Sequence, residues 1–203
     1  NHGPYLVDNN VFLSRFAIDI ASRGGAFAHN LIAGRIKVMA AQDRVTPYHK
    51  AHSTEIAGMS DYAPGDDRYL NNILHGPMAS LAAYDQATPV SRMDGNVYLA
   101  GATPSALERD PLVVQSNAQV RLQKRKDGHY LNFGFDPAWM MARQRPLVTT
   151  ELLGVAALPD LPFVQADGTD LRVDTDFFGR PRDSANPAPG PFERPGAGEL
   201  RLR

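Results

Sequence analysis

Short apolar runs separated by polar or small residues dominate the first half of this chain. Four of them share one pattern: "DNNVFLS" (Asp8 to Ser14), "HNLIAG" (His29 to Gly34), "NNILHG" (Asn71 to Gly76) and "GNVYLAG" (Gly95 to Gly101). Each holds an Asn, then three mostly apolar residues, then a small residue or a polar break. Aligned on Asn10, Asn30, Asn72 and Asn96, the gaps are 20, 42 and 24. The middle gap is about two of the others, or one plus an insertion. One short strand and one Asn in a period near 20 predict the stacked coils of a parallel β-helix. A single coil is too short to bury its own face, so coils pair strand on strand. The corner between strands needs a left-handed backbone, which Asn tolerates better than most residues. Stacked Asn side chains then hydrogen-bond along the stack. The alternative is four unrelated Asn turns in an all-β domain.

Beyond about residue 118 the repeat stops. "QVRLQKRKDGHYLNFGF" alternates around Asp127-Gly128, a hairpin signal. "DPAWMMARQR" offers Asp136 as N-cap and Pro137 at the first helical position, so one short helix is expected. "RPRDSANPAPGPFERPGAG" is too rich in Pro and Gly for regular structure, and "ELRLR" reads as a last strand. The expected organisation is therefore all-β. Parallel coils fill residues 1–117, with an inserted loop at about 35–68. A small antiparallel, sandwich-like β unit fills residues 118–203.

Composition narrows the function classes. A formal net charge of −1 removes the electrostatic case for nucleic acid or an anionic membrane. No apolar run approaches the roughly 20 residues that span a bilayer. The absence of cysteine excludes disulfides, thiolate metal sites and a Cys nucleophile. There is no Gly-rich phosphate loop and no nucleophile elbow, and no cofactor is expected.

Polar density concentrates in the 42-residue gap, within "RVTPYHKAHSTEIAG" and "APGDDRYLNN". His49, His52 and Glu55 follow one another at a spacing of three. Long departures from a rigid coil tend to build binding grooves. A sugar site draws on carboxylates and on neutral donors such as His. Two rival readings stand beside that one. The cluster is a structural loop tie, or it is a metal site. Pro47 disfavours a helix through His49, and the zincin order of ligands is absent, so no metal is assigned. Asp66-Asp67 is a weak calcium signal, and Arg68 is the expected partner of one of them. Asp174 and Asp176 read as edge-strand charges, His29 as a structural corner residue, and Trp139 as core.

"HGPYLVDNN", "GGAFAHNLIAG", "TPYHKAHSTEIAG" and "GDDRYLNN" occur in the order and with the spacing of glycoside hydrolase family 120, a β-xylosidase family. "GNVYLAGA" and "LRVDTDFFG" resemble its C-terminal region. The likeness is dense to residue 101 and thinner across residues 102–160. It implies a right-handed parallel β-helix with an associated β-sandwich. It also implies a retaining, exo-acting hydrolase that removes xylose from short xylo-oligosaccharides. In the family pattern the acid/base Glu lies two residues ahead of the position held by Asn1, and the nucleophilic Asp lies one coil earlier. The resemblance thus places no catalytic residue in this chain, which reads as a C-terminal part of such an enzyme and inactive alone. His2, His49, His52 and Glu55 are the residues it assigns to the substrate pocket or its immediate support. Ala51 stands where the family commonly has Pro, which loosens the expected loop geometry. A non-catalytic carbohydrate-binding β-helix and a polysaccharide lyase on the same scaffold are the alternatives. For the lyase, Arg35, Arg44 and Arg68 are candidate bases, and nothing singles one out.

Overall fold

The computed structural model describes residues 2–39, 42–115, 119–196 and 198–202. The expected boundary at 117–118 lies outside the described residues. Strands predominate, with short helices at Ala138–Ala142 and Thr150–Leu153. Two parallel sheets form the frame. One runs in the order Tyr5–Asp8, Gly25–Ala28, Arg68–Leu70, Arg92–Asp94. The other runs Val11–Phe12, Leu31–Ile32, Ile73–His75, Val97–Leu99, Leu112–Val114. A third pair, Phe16–Ile20 with Arg35–Val38, is also parallel. The chain passes from the first sheet round a corner to the second, then returns one layer further on. Ile73 pairs directly with Leu31 and with Val97, so Asn30 and Asn72 occupy adjacent layers. The 42-residue gap is therefore one layer plus an insertion. The insertion is an antiparallel hairpin, Gln42–His49 with Ile56–Tyr62.

Side chains alternate across each strand. Phe27, Tyr69 and Met93 of the first sheet meet Ile32, Leu74 and Tyr98 of the second in one core, closed by Ile18, Ile20 and Ile36. The intervening residues face outward and are also covered. Ala26, Ala28 and Leu70 pack under Val148, Leu153, Phe163 and Val173. Leu31, Ile73, Val97 and Leu99 pack under Leu131, Phe133, Trp139 and Phe192. Burial on both faces is why these strands read as unbroken apolar runs rather than alternating ones. Trp139 is core, packed edge-on against Phe135 with ring centres 5.2 Å apart.

At each corner two adjacent residues divide the work. The first adopts the left-handed conformation: Asn9 (φ 55°), His29 (54°), Asn71 (57°) and Gly95 (72°). The sequence assigned that conformation to the aligned Asn; the structure places it one residue earlier. The second residue, the aligned Asn, turns its amide along the stack. Asn30 Oδ1 accepts from the backbone N–H of Asn10 at 3.0 Å and from Asn10 Nδ2 at 3.2 Å. Asn72 Oδ1 receives the same pair from Asn30 at 2.9 and 3.0 Å, and Asn96 Oδ1 from Asn72 at 2.9 and 3.0 Å. The Nδ2 groups of Asn30, Asn72 and Asn96 also donate to the carbonyls of Val7, Phe27 and Tyr69, each at 2.8 Å. Glu108 ends the ladder. Its carboxylate accepts from Asn96 N–H and Nδ2, both at 3.1 Å, and from the Tyr98 hydroxyl.

The left-handed corner residues hold the covering segment. Asn9 Nδ2 donates to Thr175 O at 3.0 Å and Asn71 Nδ2 to Pro146 O at 3.0 Å. Asn71 Nδ2 also reaches His29 Nε2 at 3.3 Å, which leaves His29 Nδ1 protonated to donate to Ala188 O at 3.0 Å. The Pro- and Gly-rich stretch forms neither helix nor sheet over residues 182–196. It is pinned instead by the buried pair Arg182–Glu193 at 3.1 Å, with Arg182 also donating to Asn9 Oδ1 at 2.6 Å. The later hairpin joins Val120–Arg125 to Gly128–Phe133, and Gly198–Arg201 adds a third antiparallel strand. Its register makes Lys126–Asp127 the turn, one residue before the expected pair. Asp136 Oδ1 accepts the N–H of Ala138 at 2.8 Å at the start of the short helix.

Two expectations follow from this frame. Asn72→Ala removes an acceptor from two donors of Asn30 and leaves buried groups unpaired, so it should cost about 3 kcal/mol in urea unfolding; a loss below about 1 kcal/mol would mean that the ladder is not structural. The second concerns Asp67, which is fully buried with Oδ1 accepting from Gly25 N–H at 2.8 Å. Its Oδ2 has no hydrogen-bond partner. Tyr5, Tyr69, Tyr84 and Asp66 are the titratable groups around it. Burial raises its pKa from 3.8 to about 7. The folded protein therefore keeps a proton that the unfolded chain releases, and the stability tied to this group is present below about pH 4 and lost as pH rises through 7. Asp67→Asn should flatten the stability profile across that window relative to wild type, and parallel profiles would contradict the assignment.

Candidate functional site

The inserted hairpin and a later segment, residues 161–166, stand on either side of the start of strand Tyr5–Asp8. Together they enclose a cleft of about 610 Å³. Each wall is tied to the frame by polar side chains near the corner that precedes the first sheet.

His2 ties the hairpin. It is 5% exposed. Its Nδ1 accepts from Arg23 N–H at 3.1 Å, so the ring proton lies on Nε2 and is shared with Thr46 Oγ1 at 2.7 Å. Burial lowers its pKa, which keeps the ring neutral in that tautomer. Arg23 adds a second tie, from Nη1 to Ser60 Oγ at 3.2 Å.

Arg68 ties the other wall. It donates from Nε to Leu153 O at 3.0 Å and from Nη2 to Val155 O at 2.6 Å, and it lies over the Phe163 ring with 5.0 Å to the ring centre. Asp66 pairs with Arg68 at 2.9 Å, and its other oxygen accepts from Ala157 N–H at 2.7 Å. The Asp66–Asp67–Arg68 run is thus an anchor for a wall. Among the described residues no group of three or more His, Asp or Glu is arranged to hold a metal ion.

Of the residues singled out from the sequence, His2, His49 and His52 line this one cleft, and Glu55 does not. Glu55 sits outside it, exposed, paired with Lys50 at 2.5 Å, while its N–H donates to Ser53 Oγ at 2.9 Å. Its work is local closure of the hairpin tip, beside the wall residues Lys50 and Ser53. His49 Nδ1 donates to Thr54 O at 3.1 Å. His52 occupies a left-handed position at the tip (φ 50°).

The facing wall was not legible in the sequence. Leu161, Pro162, Val164 and Gln165 line it, with Phe163 buried beneath. No period or spacing links these residues to His2, since they arrive through the covering segment. The two walls differ in chemistry. His49, Lys50, His52 and Ser53 present polar groups, while Leu161, Pro162 and Val164 present aliphatic surface. Such a cleft suits a ring with a polar edge and an apolar face. None of the described residues lining it is Asp or Glu.

No protein-family model matches the sequence. No curated protein matches it either. Among solved structures, that of XylC in complex with xylose is similar, with a TM-score of 0.86 and 29% identity. The match covers 100% of this chain and 36% of XylC, so the chain spans about a third of the length of that protein.

The ties predict separable effects. Thr46→Val removes the hydroxyl that His2 Nε2 engages in a buried site, and it should destabilise the protein by about 1–3 kcal/mol and speed proteolysis within the hairpin. Glu55→Gln breaks an exposed pair and should change stability by less than about 1 kcal/mol. Equal effects of the two would contradict the division of roles.

Proposed function

We propose that this chain is the C-terminal part of a retaining, exo-acting glycoside hydrolase resembling the β-xylosidases of family 120. In this reading the parallel layers belong to a right-handed β-helix, and the cleft is one side of a site for the end of a xylo-oligosaccharide. The observation that carries the reading is the full-length superposition on XylC bound to xylose, together with a cleft whose walls suit a sugar ring. His49 and His52 accept or donate to hydroxyls from the hairpin. Leu161, Pro162 and Val164 meet the C–H face of the ring from the opposite side. His2 is a positioning residue, because both its ring nitrogens already have partners.

Retaining hydrolysis needs two carboxyl groups about 5–5.5 Å apart, one acting as nucleophile and one as acid and then base. The cleft residues of this chain include no such pair. The reading therefore assigns both carboxylates to sequence preceding Asn1 and gives this chain binding rather than bond cleavage. It is supported by the polar wall, where the Lys50 ammonium is paired with the Glu55 carboxylate.

The test is titration of the 203-residue chain with xylose, xylobiose and xylotriose, followed by calorimetry or ligand-observed NMR. Saturable binding weakened about 10-fold by His49→Ala is expected. Absence of saturable binding at concentrations of about 50 mM, where even a weak single-ring site fills, would sink the reading.

A further inference from the structure

One end of the stack is left unmatched. Strand Tyr5–Asp8 is outermost in its sheet, Val11–Phe12 is outermost in the second, and Phe16–Ile20 pairs only with Arg35–Val38. Three sheet edges therefore share one end face. Val7 lies beside Phe27 in the register, and Phe12 beside Ile32. Phe27 and Ile32 are buried, whereas Val7 and Phe12, in the same positions one layer out, are half-buried. With Tyr5 and Ala17 they line a hollow of about 460 Å³ that reaches the buried Phe27. The ladder is unfinished at the same face. Asn30, Asn72 and Asn96 each accept from the corner of the layer before, and each donates through Nδ2 to a strand carbonyl of that layer. Asn10 does neither. Its Oδ1 accepts no hydrogen bond among the described residues, and its Nδ2 turns back to Asp8 O of its own layer at 2.7 Å.

We propose that this end face is a docking surface for one further parallel layer of the same polypeptide, preceding Asn1 and carrying an Asn at its corner. The inference rests on the part of the reading above that puts more sequence ahead of Asn1, and it is independent of what the cleft binds. The chemistry of the face selects this occupant. The hollow takes inward apolar side chains of the kind that Phe27 and Ile32 supply to the layer after. The three edges take parallel strands, as each inner layer does. Asn10 Oδ1 takes two donors, the backbone N–H and the Nδ2 of a corner Asn, as Asn30 Oδ1 does. A second copy of this chain does not supply them through either end of its stack. Its own first layer would oppose one idle acceptor with another. The far end of its ladder is the Glu108 carboxylate, which only accepts. Once the layer docks, Asn10 Nδ2 should leave Asp8 O for a strand carbonyl of the newcomer. Tyr5 lines both the hollow and the cleft, so the added strand beside Tyr5–Asp8 also borders the cleft.

The test compares the 203-residue chain with the same chain extended by the residues its gene encodes ahead of Asn1, about 50 of them, enough for two layers at a period near 20. Hydrogen exchange is followed in Tyr5–Asp8 and Val11–Phe12. Their amides should exchange at least about 10-fold more slowly in the extended chain. Asn10→Ala should raise the unfolding equilibrium constant about 10-fold more in the extended chain than in the 203-residue chain, because only there does it leave two buried donors unmet. A 203-residue chain that fails to fold while the extended one melts cooperatively also supports the docking surface. Equal exchange in the two folded forms overturns it, and so does a gene with no coding sequence ahead of Asn1. Equal effects of Asn10→Ala overturn the Asn corner. A discrete dimer of the 203-residue chain with these same strands protected replaces the proposed occupant with a second copy. None of these readouts involves a sugar, so the xylose titration above stands or fails separately.

Discussion

A single column of amide hydrogen bonds holds the layers of this protein in register. Asn30, Asn72 and Asn96 each accept two bonds through Oδ1 and donate through Nδ2 both to a carbonyl and to the next member of the ladder, so every polar atom of these amides is used. A buried amide with an unmet bond is costly, and the column has a direction, so it must end on a group that only accepts. Glu108 is that group. It takes three donors, and the last parallel strand, Leu112–Val114, follows it by four residues. Burial raises the Glu108 pKa, and the donors from Tyr98 and Asn96 act against that rise.

The corners extend the same economy outward. Of the left-handed residues just before the ladder Asn, Gly95 has no side chain, and Asn9, His29 and Asn71 use theirs to bond the covering segment. The cover has little regular structure, yet its backbone groups find partners on the frame and in Arg182, Asp176 and Glu193. This is how a Pro- and Gly-rich stretch becomes a fixed layer over two apolar sheet faces. The cleft is a by-product of that arrangement. One wall is an insertion between layers and the other is part of the cover. Both are anchored where the first sheet begins, through His2 and Arg68.

The structural likeness to XylC is read in the same terms. Agreement over the whole chain at 29% identity means that the layer spacing, the corners and the cover are shared while most side chains differ. The chain covers about a third of XylC. Glu55 illustrates why an acid near a site is not thereby a catalyst. It is exposed, locally paired and turned from the cleft.

The repeat of Asn before short apolar runs was legible in the sequence because it is local: every layer needs the same corner, so the same residue type recurs at each. So were the hairpin around Asp127 and the short helix after Asp136, which depend on turn and cap chemistry within a few residues. The histidines of the hairpin tip stood out because polar residues cluster there. The tertiary structure alone decided that the 42-residue gap holds one layer and a hairpin, since register is a matter of which strand is next in space. It alone decided that Glu108 ends the ladder, that Arg68 anchors a wall, and that residues 161–166 face His49 and His52. Those contacts join positions tens of residues apart, and no periodicity along the chain records which distant segments the stack will bring together.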